Sequence, residues 1–102
     1  MRLFILLFLA PFFILAQQKY SLTGSVTEKG NTVVPGANVF IEGTTMGTMA
    51  DEKGHYVLKN IPAGRHRLVA SMVGYQPKMV LIDFPGNTKV LNFTLEEDNK
   101  TL

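Results

Sequence analysis

Hydrophobic and polar residues alternate with a period of two along most of the chain after residue 17. In YSLTGSVTE the apolar Tyr20, Leu22 and Val26 share one face, while serine and threonine residues occupy the other. Three later runs repeat the pattern, with the apolar residues Ala37, Val39 and Ile41, then Tyr56 and Leu58 with Ile61 just beyond, then Leu91, Phe93 and Leu95. Alternation with one apolar face is typical of β-strands that are buried on one side.

Turn-forming residues separate these runs at short intervals. Glycine, proline and asparagine recur between them, for example at Lys29-Gly30-Asn31, Pro35-Gly36 and Pro85-Gly86-Asn87. The spacing predicts about seven strands, near residues 20–27, 36–42, 45–50, 55–59, 65–73, 77–83 and 89–96. This number and spacing favour an all-β, two-sheet sandwich over a closed barrel.

Two runs also predict positions within the sheets. RLVASMVG is apolar on both faces, as expected of a central strand. The strand that follows contains Pro77, which cannot donate a hydrogen bond to a ladder. This proline therefore predicts a sheet edge or a bulge.

The N-terminal segment has a different pattern. In MRLFILLFLAPFFILA, Arg2 precedes an apolar run from Leu3 to Leu15, and the small residue Ala16 follows, which is the layout of a secretory signal peptide cleaved after Ala16. A membrane anchor is the alternative, but this run contains Pro11 and is shorter than the about 20 residues that a spanning helix needs. We therefore expect an exported protein with a signal-peptide helix over 1–16, a β-sandwich over 17–96 and a flexible tail over 97–102.

Charge and cysteine content narrow the possible partners. Loss of Arg2 with the signal peptide lowers the formal charge of +2 by one. The nearly neutral domain that remains offers no electrostatic basis for nucleic-acid binding.

The chain has no cysteine, which excludes disulfides, a thiol nucleophile, a cysteine zinc site and a lipidated cysteine. Packing alone must therefore hold the domain together.

Asp51, Glu52 and His55 form the densest set of potential catalytic or metal-binding side chains. The stretch from Asp51 to Gly54 fits a turn, because aspartate accepts a hydrogen bond from a backbone N–H two residues on and glycine supplies a positive φ. A calcium loop would need more oxygen ligands, and no D-x-D-x-D-G pattern is present. The sequence therefore favours a hairpin tip over a metal site.

The remaining charged candidates are also explained by strands. Arg65-His66-Arg67 lacks the interleaved aromatic residues of a nucleic-acid stacking platform, so we interpret it as a solvated strand start. His55 and His66 could meet across paired strands, but two histidines are not a zinc site.

Ser21, Ser25 and Ser71 lie inside predicted strands, and no G-x-S-x-G elbow occurs. Asn92 and Asn99 begin glycosylation sequons, although Asn92 lies in the middle of a predicted strand. Phe40 is an outward aromatic residue on an otherwise polar strand face, so it and the strand at Arg65–Arg67 are the candidate contact residues. We therefore expect no catalytic, cofactor-binding or metal-ligating residue.

Several short motifs stand at fixed spacings between the predicted strands. They are Pro35-Gly36-Ala37-Asn38-Val39, Gly43-Thr44 with Gly47-Thr48, Asp51-x-x-Gly54-x-Tyr56, Ile61-Pro62-x-Gly64 and Val73-Gly74-Tyr75. Through these motifs the chain resembles the carboxypeptidase regulatory-like domain, a transthyretin-like β-sandwich. The resemblance extends from about Leu22 to Leu95. One departure is Ala50, where the family usually carries threonine. The resemblance implies a non-catalytic domain without zinc ligands or cofactors.

With a bacterial-type signal peptide in front, the domain is most similar to the N-terminal extension of TonB-dependent outer-membrane receptors. This resemblance implies a place on the periplasmic side of the outer membrane and contact with protein components of the uptake machinery. The chain stops at Lys100-Thr101-Leu102, short of a TonB-box, plug and barrel, so membrane association is expected only through a barrel beyond this chain. The alternative is a self-contained exported binding or scaffold domain. An enzyme would need a site built from Asp51, Glu52, Asp83 and the two histidines.

Overall fold

Residues 18–98 of the protein, as described by a computed structural model, form nine β-strands in two sheets. The strands are β1 (Lys19–Glu28), β2 (Thr32–Val33), β3 (Asn38–Ile41), β4 (Gly47–Met49), β5 (His55–Pro62), β6 (Gly64–Ser71), β7 (Tyr75–Gln76), β8 (Lys78–Phe84) and β9 (Phe93–Glu97). The five-stranded sheet has the order β2-β1-β9-β7, with β5 also paired to β1, and the four-stranded sheet has the order β4-β3-β6-β8. The predicted all-β, two-sheet sandwich is confirmed.

The predicted signal peptide and residues 99–102 of the expected tail lie outside the described residues. Between residues 18 and 98, no helix has the length and apolar character required to cross a membrane.

The core lies between the sheets and uses the apolar positions of the alternating strands. Its fully buried side chains include Leu22, Val26, Val39, Ile41, Tyr56, Ile61, Leu68 and Leu95. Within residues 18–98 no polar or charged residue is buried. Because burial of one large apolar side chain is worth about 1.5–3 kcal/mol, this core can stabilise a domain that has no disulfides.

A bulge in β5 explains why Ile61 reaches the core although it stands three residues after Leu58. Tyr20 pairs with Ile61 while Leu22 pairs with Leu58, so β5 holds one more residue than β1 between these pairs. Asn60 takes up the irregularity with a φ of 64°. The extra residue restores the inward direction at Ile61, as bulges do in antiparallel pairs.

Strand positions in the four-stranded sheet agree with the pattern of the sequence. β6 lies between β3 and β8, as its two apolar faces predict. Pro77 separates the short β7 from β8, and β8 is at the edge of its sheet, as the proline predicts.

The expected number and limits of the strands were partly wrong. Residues 18–98 contain nine strands rather than seven, since β2 and β7 are only two residues long and have no recognisable period. The strand expected from residue 89 begins at Phe93, and only an isolated bridge between Thr23 and Val90 precedes it. β9 also includes Glu97, where the tail was expected to begin, and the Asp98 N–H donates to the Gly74 carbonyl at 2.9 Å.

Candidate functional site

Asp51 lies in the turn before β5, and its side chain holds the backbone of that turn. Its Oδ1 accepts the N–H of Lys53 at 2.8 Å and the N–H of His55 at 2.9 Å. The Gly54 N–H donates to the Asp51 carbonyl at 2.9 Å, with Gly54 at a φ of 81°. These N–H groups, above all that of His55, hold the pKa of Asp51 below its ordinary value. The predicted turn is confirmed, but it is not the tip of a hairpin, because it joins β4 of the four-stranded sheet to β5 of the five-stranded sheet.

The other residues of a hypothetical enzyme site are distributed over both sheets. His55 pairs with Ser25 in the five-stranded sheet, whereas His66 pairs with Ile82 in the four-stranded sheet. The two histidines therefore do not meet across paired strands. The His66 ring nitrogen Nε2 lies 2.8 Å from the Pro62 carbonyl oxygen. Over residues 18–98, no group of three or more histidine, aspartate or glutamate side chains is arranged to hold a metal ion.

The basic residues of β6 are paired with carboxylates on the outer face of the four-stranded sheet. Arg65 Nε lies 2.8 Å from Asp83 Oδ1, and Arg67 Nη1 lies 3.0 Å from Glu42 Oε1. The hydrogen bond between Arg65 and Asp83 raises the pKa of the guanidinium and lowers the pKa of the carboxyl. Exposed pairs of this kind contribute little to stability, in agreement with the predicted solvated strand start.

Ser25 and Asn92 come into contact although 67 positions separate them in the sequence. The backbone N–H of Ser25 donates to Asn92 Oδ1 at 2.9 Å, and the Ser25 hydroxyl donates to the same oxygen at 3.1 Å. The side chain of the sequon residue Asn92 therefore joins β1 to the segment before β9. The second sequon residue, Asn99, lies outside the described residues.

The Leu91 carbonyl explains why a side chain makes this contact. Its oxygen accepts a hydrogen bond from the Tyr56 hydroxyl at 2.5 Å and lies directly against Gly24, where a Cβ would overlap it. This oxygen is therefore engaged by Tyr56 over Gly24, and Asn92 Oδ1 provides the acceptor for the Ser25 N–H instead. Burial raises the pKa of the Tyr56 hydroxyl, which keeps this donor protonated.

Tyr75 makes a second contact across the five-stranded sheet. Its hydroxyl donates to Glu28 Oε1 at 2.6 Å, which raises the pKa of the tyrosine. Because β7 pairs with β9 and Glu28 belongs to β1, this bond ties the edge of the sheet to its centre. Glu28 also lines a surface cavity of about 780 Å³ whose other charged residues are Lys29, Glu96 and Glu97.

The outer face of the four-stranded sheet carries apolar side chains from three neighbouring strands. Phe40 of β3 pairs with Val69 of β6, and Val69 pairs with Met79 of β8. Phe40 is half-buried and Val69 is buried, but Met79 is 56% exposed and Leu81, two residues along β8, is 57% exposed. We call Phe40, Val69, Met79 and Leu81 the apolar row.

The apolar row corrects one expectation from the sequence. Phe40 was predicted to be a single aromatic residue on a polar face, which is true of β3 but wrong for the sheet. The missed residues are Met79 and Leu81. Their signal was the run MVLID, which is apolar on both faces although Pro77 predicts an edge position. On an edge strand, a second apolar face is exposed unless something covers it.

These features define a small cysteine-free β-sandwich module in which the turn at Asp51 and Gly54 leads into the buried Tyr56. The chain belongs to the CarboxypepD_reg-like domain family, which matches residues 22–102. The family confirms the resemblance that the motifs indicated.

Two TonB-dependent receptors of Formosa agariphila are similar to the chain. One is 33% identical over 81 residues, which cover 79% of this chain and 7% of the receptor. The other is 37% identical over 78 residues, which cover 76% of this chain and 7% of the receptor. The chain thus corresponds to a small part of each receptor.

Solved structures share the fold at low sequence identity. A chain of a type II cohesin–X-dockerin complex from Acetivibrio cellulolyticus has a TM-score of 0.66 and 18% identity, covering 76% of this chain and 58% of that one. The Bacillus anthracis TIE protein has a TM-score of 0.56 and 23% identity, covering 78% and 16%. The major pilin subunit of Bacillus cereus has a TM-score of 0.56 and 13% identity, covering 78% and 30%. These likenesses concern the β-sandwich fold alone.

Proposed function

We propose that the chain is the non-catalytic N-terminal module of a TonB-dependent outer-membrane receptor, placed on the periplasmic side of that membrane. The observation that carries this proposal is the similarity of more than three quarters of the chain to two such receptors. In this proposal residues 1–16 are removed on export, the sandwich that ends with β9 and Asp98 forms the module, and the residues after Asp98 begin the connection to the rest of the receptor.

The module acts by contact with other proteins rather than by chemistry. Asp51 Oδ1 is engaged by two backbone N–H groups, and Asp83 is paired with Arg65, so neither carboxylate is placed to serve a substrate. His55 and His66 belong to different sheets. Side chains in this arrangement support a structural role for the residues that looked most like an active site.

The surface that fits a protein partner is the apolar row. Its exposed members, Met79 and Leu81, lie beside the ion pairs Arg65–Asp83 and Arg67–Glu42 on the same face. An apolar centre with a charged rim is the usual composition of a protein interface. The partner in this proposal is a protein component of the TonB-dependent uptake machinery.

A self-contained exported binding or scaffold domain is the second candidate function. The apolar row favours it as well, because that surface is complete within the described residues and needs no plug or barrel. The two candidates share the fold and differ only in the polypeptide that each expects beyond Leu102.

The reading frame after the Leu102 codon tests the proposal directly. An open frame that continues into a TonB-box, a plug and a barrel supports the receptor module. A stop codon directly after Leu102 in an intact locus overturns it and leaves the self-contained domain. Cell fractionation with an antibody against the domain then checks the compartment, since recovery in the cytoplasm would contradict export in either case.

A further inference from the structure

β1 and β9, the first and last strands of the described chain, are parallel neighbours. Val26 pairs with Phe93, Thr27 with Thr94 and Glu28 with Leu95. The bridge between Thr23 and Val90 continues the same register toward the start of β1. Because the strands run in the same direction, the chain enters at one end of this pair and leaves at the other.

Direct hydrogen bonds fasten the part of this pair that precedes β9. The Leu91 N–H donates to the Thr23 carbonyl at 2.8 Å, and the Thr23 N–H donates to the Lys89 carbonyl at 3.4 Å. The Ser25 N–H bonds to Asn92 Oδ1, while the Leu91 carbonyl is engaged by the Tyr56 hydroxyl. The contact therefore continues from Thr23 to Glu28 without a gap.

We propose that residues 23–28 and 89–95 form a shear clamp that keeps the domain folded when its two ends are pulled apart. Tension between the ends moves β1 toward its N-terminus and β9 toward its C-terminus, so the strands slide along each other. All bonds of the clamp are then strained at once. In a hairpin pulled at its open end, by contrast, the bonds break one after another.

Neighbouring strands hold both partners of the clamp in place. β5 pairs with β1 along its other edge, from Lys19 to Ser25, and β7 pairs with β9 at Glu96 and Glu97. Forced unfolding is governed by the unfolding rate, which depends on the bonds that must break together in the transition state. The domain is thus a link that transmits tension along the chain. This property belongs to the β1–β9 topology and stands apart from the receptor assignment.

Force spectroscopy on two pulling directions tests the clamp. The chain has no cysteine, so Gln18→Cys combined with Glu97→Cys attaches handles at the two ends of the clamp. Gln18→Cys combined with Ala63→Cys is the control, because Lys19 pairs with Pro62 and this pull opens β1 from β5 one bond at a time. At equal loading rate, we expect a several-fold higher unfolding force between residues 18 and 97. If the force between residues 18 and 97 is equal to or lower than the force between residues 18 and 63, the proposal is wrong. None of the handle positions lies in the clamp, so the clamp itself is unchanged in this test.

The Asn92 side chain gives a sharper test in the same two directions. Asn92→Ala removes the acceptor of the Ser25 N–H, so it should lower the force between residues 18 and 97 and leave the force between 18 and 63 unchanged. Asn92→Asp keeps a side-chain oxygen and should retain most of the force. Asn38→Ala, on the exposed side of β3, is the matched control and should change neither. If Asn92→Ala lowers both forces equally, it acts through general stability, and the clamp is wrong.

Discussion

The two sheets share one apolar core but differ in how they are fastened and in what they expose. The five-stranded sheet is held by contacts specific to single residues, at Gly24, Tyr56 and Asn92, and the outer face of β1 is lined with serine and threonine. The four-stranded sheet relies on strand pairing, and its outer face carries the apolar row. The motif residue Tyr56 thus fastens the five-stranded sheet, whereas Met79 and Leu81 of the other sheet are not part of the core.

The largest effect that this comparison predicts is at Gly24. Gly24→Ala places a Cβ in the position of the Leu91 carbonyl oxygen, and we expect it to lower the free energy of unfolding by about 3 kcal/mol. Urea denaturation measures the loss. Gly43→Ala is the control, since that site has open space and only its φ of 83° is unfavourable, at a cost of about 1 kcal/mol. Equal losses at the two glycines would contradict the close approach of the chain at Gly24.

Tyr56→Phe tests the same region with a smaller change. It removes the hydroxyl that donates to the Leu91 carbonyl and leaves that oxygen without its donor, so we expect a loss of about 1.5 kcal/mol in the free energy of unfolding. Tyr20→Phe, at a half-buried tyrosine of the same sheet, is the matched control and should cost less. If both variants unfold at the same urea concentration, the Tyr56 hydroxyl does not fasten the sheet.

Substitutions in the apolar row should affect binding and leave stability nearly unchanged. Met79 and Leu81 are more than half exposed, so Met79→Ser with Leu81→Ser should change the free energy of unfolding by no more than about 0.5 kcal/mol. Under the proposed receptor assignment, the same pair in the complete receptor should reduce uptake. Val57→Ser, at an exposed residue of the other sheet, is the control and should preserve uptake. Equal uptake by both variants would show that the difference between the faces has no bearing on function.

The smallest effect concerns acid stability and the turn at Asp51. Because folding lowers the pKa of Asp51, its contribution is complete above the pKa of the unfolded chain and is lost as the pH falls through the folded value. The advantage of the native protein over Asp51→Asn should therefore shrink below about pH 4. Asp83→Asn is the comparison in the four-stranded sheet, where the Arg65 side chain, instead of backbone N–H groups, lowers the pKa of the aspartate. An advantage over Asp51→Asn that grows toward acid would contradict the turn as the cause.

Alternation along single runs was sufficient to predict the core but not its irregular positions. Leu22, Val39 and Tyr56 follow the period of two and are buried as expected. β2 and β7 are too short to show a period, and the bulge at Asn60 depends on how β5 meets β1 rather than on either run alone.

The candidate surface was only partly predictable for the same reason. Phe40, Val69 and Met79 come from three separate runs, and their contact follows from strand order and register. The link between Ser25 and Asn92 likewise joins two distant segments. In the sequence, Asn92 is recognisable only as a sequon, whereas in the fold its oxygen replaces a backbone acceptor.

The position of β8 has a consequence for how copies of this protein behave at high concentration. β8 is the last strand of its sheet, so the hydrogen-bonding groups along one of its edges have no partner strand among residues 18–98. Open edges with apolar flanks are the places where foreign strands add and aggregation begins. Pro77 and Pro85 border this edge on either side, and neither can donate a backbone hydrogen bond. The same two prolines that limit β8 therefore also limit the length of any strand that can grow onto it.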